Sequence, residues 1–386
     1  MVVSGFERLL ASGALDGRRV GIVCNPASVD RDLRHAADRL AAHPTTRLAA
    51  IFGPQHGFRS DVQDNMIETR HAHDEVRRVP IYSLYSDVRE PTPEMLRDLD
   101  VLVVDLQDVG VRIYTYIYTM AKCLTAAARQ RLKVIVCDRP NPIGGVQVEG
   151  PVLERGWESF VGMYPIPMRH GMTIGELARL FNEHFGIGAD LEVAAMEGWR
   201  RDMYWDATGL TWIISSPNMP TFDTTLVYPG TVLFEGTNVS EGRGTTRPFE
   251  LIGAPWVVAE RFAEAMNRRG LAGVYFRPMV FEPTFHKHAR EACGGCQVHV
   301  RDRAAFRPVA AAVALMDAFR AAAPDRFGWK QPPYEYEHEK IPIDVLAGSP
   351  TLREQIEGGV PAGEIARSWE APIAEFLRIR EKFLLY

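Results

Sequence analysis

The run Leu99–Gly110, LDVLVVDLQDVG, constrains this chain more than any other stretch. Its centre is almost wholly apolar, with no polar residue on alternate positions, so both faces of the strand it predicts must be covered. A parallel sheet with helices on both sides does this. Similar runs precede and follow it: RRVGIVCNPAS, RLAAIFGPQHG, PIYSLYS, KVIVCDRPNPIGG and LEVAAMEGW. Between them lie segments with apolar residues at helical spacing: Gly5 to Ala14, DRDLRHAADRLAAH with Asp30 as a candidate cap, Tyr116 to Arg131, and a helix from Thr173 with Glu176 at capping-box spacing. Strand alternating with helix predicts an α/β fold, with a Rossmann-like parallel sheet in the N-terminal part.

The strand ends carry polar tips. Gly53, Pro54, Gln55, His56, Gly57 and Arg59 follow one; Asp105, Gln107, Asp108, Arg112, Tyr114 and Tyr116 follow the next; Asp138, Arg139 and Asn141 a third. Open α/β sheets bind ligands just beyond the carboxyl ends of their strands, so one shared rim is expected. Arg169 and His170, ahead of the Thr173 helix, extend it. His170 can serve as a general acid or base, or as a structural hydrogen bonder.

The rhythm changes near Thr221–Thr224, which divides the chain into a Rossmann-like domain, 1–222, and a smaller α/β C-terminal domain, 223–386. At the head of the second domain stands Phe234–Glu250, FEGTNVSEGRGTTRPFE, with Glu235, Asn238, Glu241, Arg243, Arg247 and Glu250 among glycines and hydroxyls. Apolar flanks on both sides predict that this polar stretch is drawn into the protein. Carboxylates beside guanidinium groups can be kept ionised or made to share protons. Glu241, between Ser240 and Gly242, is the leading catalytic candidate, with Arg243 and Arg247 as anion holders and Glu250 opening the next segment. Tyr204, Trp205 and Trp212 suit stacking on sugar faces and suit ordinary packing equally. The charges of YEYEHEK, residues 334–340, read as a solvated face.

Composition and absent motifs remove other classes. A formal charge of −5 over 386 residues argues against nucleic acid as partner. No apolar run reaches the roughly 18 residues of a membrane span, and the N-terminus lacks the pattern of a signal peptide, so a cytoplasmic location is expected. Five scattered cysteines fit reduced thiols, and CGGC at Cys293–Cys296 lacks a thioredoxin-like setting. His71, His73, Asp74 and Glu75 have no metal-binding spacing, and no metal or other cofactor is expected. GxGxxG, GxxxxGK[ST] and GxSxG are all missing. What remains is acid/base work by carboxylates in a polar cleft, the arrangement glycoside cleavage needs.

FGPQHGFRS, LDVLVVDLQDVGVRIYTYIYTM, DRPNPIGG, FVGMYPIPMRHGMTIGELA, SPNMPTFDTTLVYPGT, FEGTNVSEGRGTTRPFELIGAPW and the closing FLLY together resemble a bacterial family of exo-β-N-acetylmuramidases, long known as a domain of unknown function. The resemblance runs from about Gly21 to Tyr386. It implies a Rossmann-like domain followed by a smaller α/β domain, an active site in the cleft between them, and removal of a terminal N-acetylmuramic acid from peptidoglycan fragments. A small carbohydrate or muropeptide is the implied partner. Glu241, Asp105, Asp108 and His56 are then the catalytic candidates. Gln55, Arg59, Tyr114, Tyr116, Asp138, Arg139, Asn141, Arg169, His170, Asn218, Glu235, Asn238, Arg243 and Arg247 are the substrate-binding ones.

One departure stands inside the motif. Many members of the family read PEHG where this chain has Pro54-Gln55-His56-Gly57, so an amide replaces a carboxylate; QDNMIET downstream departs as well. If that glutamate is the family's proton donor, this chain must use another acid, such as Glu241, Asp105 or Asp108, or act on something else. Two other classes stay open on residues alone: a non-catalytic protein that binds cell-wall sugars, and a phosphosugar or acyl-transfer enzyme using His56, His170 and the arginines.

Overall fold

The computed structural model describes residues 1–63 and 66–386. Twelve strands are present among them: β1 (Arg19–Cys24), β2 (Arg47–Gly53), β3 (Ala72–Asp74), β4 (Val79–Ser83), β5 (Val101–Asp105), β6 (Lys133–Cys137), β7 (Glu149–Val152), β8 (Pro167–Arg169), β9 (Leu191–Ala194), β10 (Leu251–Ala254), β11 (Val274–Phe281) and β12 (Cys293–Val300). Seven form one sheet in the order β3-β4-β2-β1-β5-β6-β9, parallel throughout except that β3 runs antiparallel to β4 at the edge. The strand in LDVLVVDLQDVG, β5, lies inside this sheet between β1 and β6, and all five of its residues are buried.

Successive side chains of a strand point to opposite faces, and the two cores sort accordingly. Val104, Val134 and Val136 join a large cluster that continues through Phe234, Phe276 and Leu315 into the C-terminal part. Val103, Ile135 and Cys137 join a smaller cluster with Phe6, Ile22 and Leu40 on the other face. Helices cover both sides, so the apolar runs are explained by double coverage. The Rossmann-like reading of the N-terminal part is what this sheet shows.

The C-terminal part is built on a small antiparallel sheet, β10-β12-β11. Helix Phe222–Thr231 packs so tightly on helix Pro308–Ala322 that a Cβ on Gly230 would lie 2.0 Å from the Pro308 carbonyl oxygen. The chain end returns to the first sheet: Tyr386 donates its hydroxyl to Asp138 Oδ2 at 2.8 Å, and the Leu385 amide donates to Glu176 Oε1 at 2.9 Å.

Local expectations met mixed outcomes. Thr173 caps helix Ile174–Arg179 with Glu176 completing the capping box. Asp30 does not cap the second helix, Ala36–Ala41; His35 does, through Nδ1, while Asp30 accepts the amides of Asp32 and Arg34 and closes a turn. The stretch around His73 forms edge strand β3. Cys293 and Cys296 sit three apart on β12, both buried as free thiols. Among the described residues no helix is long and apolar enough to cross a membrane. No group of three or more His, Cys, Asp or Glu side chains among them could hold a metal ion.

Candidate active site

Past β2 the backbone turns sharply. A Cβ on Gly53 would lie 2.5 Å from the Phe58 amide, so only glycine lets the chain fold back and present Gln55 and His56. His56 takes a left-handed conformation with φ of 68°, and its Nδ1 bonds the Val62 carbonyl at 2.8 Å. Gln55 accepts from Thr115 Oγ1 at 2.6 Å and donates to the Tyr85 hydroxyl at 3.2 Å. These groups face a cavity whose wall combines Gln55, His56, Tyr114, Thr115, Tyr116, Ser216 and Asn218 with Tyr228, Glu235, Arg243, Phe249, Tyr334 and Glu335.

Tyr114 and Tyr116 are fixed by the segment opposite. The Tyr114 hydroxyl lies 2.6 Å from Ser215 Oγ, and Tyr116 donates to the Ser215 carbonyl at 2.6 Å. Burial pushes the Tyr116 phenol up to about 12, so it acts as a neutral donor at any ordinary pH. Asn218 is steadied by Gln63 at 3.1 Å.

From the Phe234–Glu250 stretch, Glu235 and Arg243 reach the wall. Glu235 accepts Arg243 Nη2 at 2.5 Å on Oε1 and the Tyr334 hydroxyl at 2.5 Å on Oε2. Both carboxyl oxygens of Glu235 are thereby held by donors from the C-terminal part. Burial opposes the charge of Arg243, but the carboxylates of Glu235 and Glu241 outweigh it and raise its affinity for the proton.

Glu241 is placed elsewhere. It is fully buried and does not line the cavity; Lys287 Nζ donates to its Oε2 at 2.7 Å, with His286 Nδ1 and Arg243 Nε at 3.3 and 3.5 Å from Oε1. Burial alone would push its carboxyl up, yet Lys287, His286 and Arg243 together hold it well below the usual range. A carboxylate so held is a poor proton donor. In this geometry its bonds to Lys287, His286 and Arg243 anchor the loop.

The rim expected from the other strand ends is spent on the fold. Asp105 forms a two-bond fork with Arg139, at 2.6 and 2.7 Å, and is wholly buried. Asp138 accepts the Gly175 amide, the Thr173 hydroxyl and the Tyr386 hydroxyl, which ties a helix start and the chain end to β6; burial raises it to about 7. Asp108 accepts the Gly110 amide and lies 3.4 Å from His170 Nε2, both buried and off the cavity wall. Asn141 holds the Met172 carbonyl and the Ile143 amide, and Arg169 the Ile143 carbonyl. Asn238 ties Arg326 to Gly328. Arg59 is exposed off the wall, and Arg247 pairs with Glu250 beside a separate depression. Apart from Arg59 and Arg247, each satisfies a backbone group or charge that burial would otherwise penalise.

Tyr334 and Glu335, expected on a solvated face, are 2% and 3% exposed and line the same cavity as Gln55 and His56. Backbone strain is a further signal, invisible in sequence: His56, Phe249 and Glu335, all on the wall, have φ of 68°, 64° and 45°. Left-handed conformations are uncommon for such residues and gather where the surroundings over-determine them, notably at functional sites. Trp205 and Trp212 pack edge to face, away from this wall.

Comparison with known proteins covers the whole chain. Residues 20–223 match the family model described as the N-terminal part of the exo-β-N-acetylmuramidase NamZ, and residues 226–386 match its C-terminal part. A peptidoglycan β-N-acetylmuramidase NamZ of Bacillus subtilis (strain 168) is 45% identical, over 100% of this chain and 91% of that protein. Crystal structures of two DUF1343 family proteins of Bacteroides fragilis align over 100% of this chain and 99% of theirs, at 38% identity with a TM-score of 0.89 and at 29% with 0.76.

Proposed function

The chain belongs to the exo-β-N-acetylmuramidase NamZ family, and from that premise we propose that it is a glycoside hydrolase that removes a terminal N-acetylmuramic acid from peptidoglycan fragments. The observation that carries the mechanism is the pair of glutamates, Glu235 and Glu335, on the wall of one cavity between the two parts of the molecule.

Acid and base in a glycosidase need different surroundings. Glu235, with both oxygens held by donors, is the proposed anion that faces the positive charge developing at the sugar's anomeric carbon, or aligns a water to attack it. Glu335 is the proposed proton donor. It hands its proton to the glycosidic oxygen as the bond from that oxygen to the anomeric carbon breaks, and recovers one from the water that completes hydrolysis. With Gln55 in place of the family's glutamate, the proton comes from Glu335 on the same cavity. Gln55, His56, Ser216 and Asn218 then orient the sugar through amide, ring and hydroxyl groups. Arg243 has five N–H donors and can serve the lactyl carboxylate of the substrate beside Glu235.

The reading of a non-catalytic sugar binder rests on Gln55 alone, and two glutamates on the wall leave it without need. Five buried free thiols favour a reducing compartment, where recovered fragments rather than intact wall would be the substrate. The division at 222/223 is adopted as the boundary between the two walls. Incubation with a chromogenic β-N-acetylmuraminide is the test: release of the chromophore is expected, and its absence, with muropeptides bound but uncleaved, would establish the binding protein instead.

A further inference from the structure

Three residues that do not line the cavity form a ring cluster beside it, with Tyr85 fully buried, and each is attached to a wall residue. Tyr85 receives the hydrogen bond of Gln55, Phe160 precedes Val161, and Tyr336 follows Glu335. Their rings meet: Tyr85 to Phe160 at 5.6 Å, Tyr85 to Tyr336 at 6.0 Å, and Phe160 to Tyr336 at 6.0 Å between centroids. The Arg89 guanidinium carbon lies 4.5 Å from the centroids of both Tyr85 and Tyr336, and Glu68 holds that guanidinium at 2.7 Å. Glu335 and Tyr336 are consecutive left-handed residues, φ 45° and 67°, and at this kink Glu335 lies on the cavity wall, 3% exposed, while Tyr336 is 39% exposed.

An outward aromatic face held by a cation and two other rings, beside the proposed proton donor, is positioned for whatever lies on the far side of the bond being cleaved. We propose that Tyr336, supported by Tyr85, Phe160 and Arg89, is the platform for the leaving sugar. This inference rests on the glycosidase reading above. The occupant is a hexopyranose whose C–H face stacks on the ring, since an aromatic face takes an apolar body while the sugar's hydroxyls stay in water. The platform would favour sugar over small leaving groups after the cavity has taken the terminal residue.

The test compares two substrates that share the N-acetylmuramyl group, a disaccharide with a second amino sugar as leaving group and the methyl β-glycoside. In Tyr336→Ala the ratio of kcat/KM for the disaccharide to that for the methyl glycoside should fall about tenfold, and Tyr336→Phe should restore it to within about twofold, as expected of a stacking ring. Equal losses on both substrates would show that Tyr336 merely shapes the backbone at Glu335, and no loss on either would remove it from binding; both results overturn the platform. Cleavage of neither substrate by the unaltered protein overturns the glycosidase reading itself, and the platform with it.

Discussion

Phe234–Glu250 and Tyr334–Tyr336 are both short polar stretches of the C-terminal part, and they divide their labour in the opposite way to their appearance. The first has the composition of a site, yet its central carboxylate, Glu241, is turned away from the cavity onto Lys287 and His286. By contrast, Tyr334–Tyr336 has the composition of a charged surface run, yet Tyr334 and Glu335 are buried on the cavity wall, and Tyr334 positions Glu235. The difference teaches that a dense polar loop must spend part of its charge on being buried. Glu241 is such a supporting charge, and the groups left for chemistry are those whose neighbours arrive from far along the chain.

The sharpest way to break this comparison is to exchange the two carboxylates' expected effects. Glu335→Gln should lower kcat by about 10²- to 10⁴-fold while the folded state keeps its thermal midpoint. More than a tenth of the original rate in that variant would return the proton to another group. Glu241→Gln should act on stability instead, since it strands Lys287 beside an amide: a loss of about 3–5 kcal/mol in chemical denaturation is expected, with the remaining folded enzyme active. A stable but inactive Glu241→Gln protein would reverse the roles.

Smaller effects sharpen the same line. Tyr334→Phe removes one donor to Glu235 and should cost about tenfold in kcat/KM, a hydrogen bond to a charged group being worth about 1.5–3 kcal/mol. The pH dependence of stability should carry opposite signs in the two parts of the molecule. Glu241 has a depressed folded-state pKa, so its contribution is present above the unfolded carboxyl range and is lost as pH falls. Asp138, raised by burial to about 7, binds its proton more tightly when folded; its contribution is full below about pH 4 and is lost as pH rises through 7. Denaturation of Asp138→Asn from pH 4 to 8 should therefore show a flatter profile over that window than the parent, and an unchanged slope would remove Asp138 as its source.

The sheet is legible in the sequence because β1, β2, β5 and β6 carry apolar runs that only double coverage explains. The site is legible in part. Gln55, His56, Tyr114, Tyr116, Asn218, Glu235 and Arg243 do meet at one cavity. Asp105, Asp138 and Asn141 do not, because a polar residue past a strand end can serve the backbone as readily as a ligand, and its spacing is the same in both cases. Tyr334 and Glu335 escape detection for a different reason: Tyr334 meets Glu235 across 99 residues of chain, and local charge density holds no trace of that contact.

Lys287 spans three acceptors, the carbonyls of Phe234 and Val239 and the carboxylate of Glu241, at 2.7, 3.1 and 2.7 Å. The shape of the loop is thereby held by groups behind the wall. Residues in front of it can be exchanged over evolutionary time without the loop losing its form.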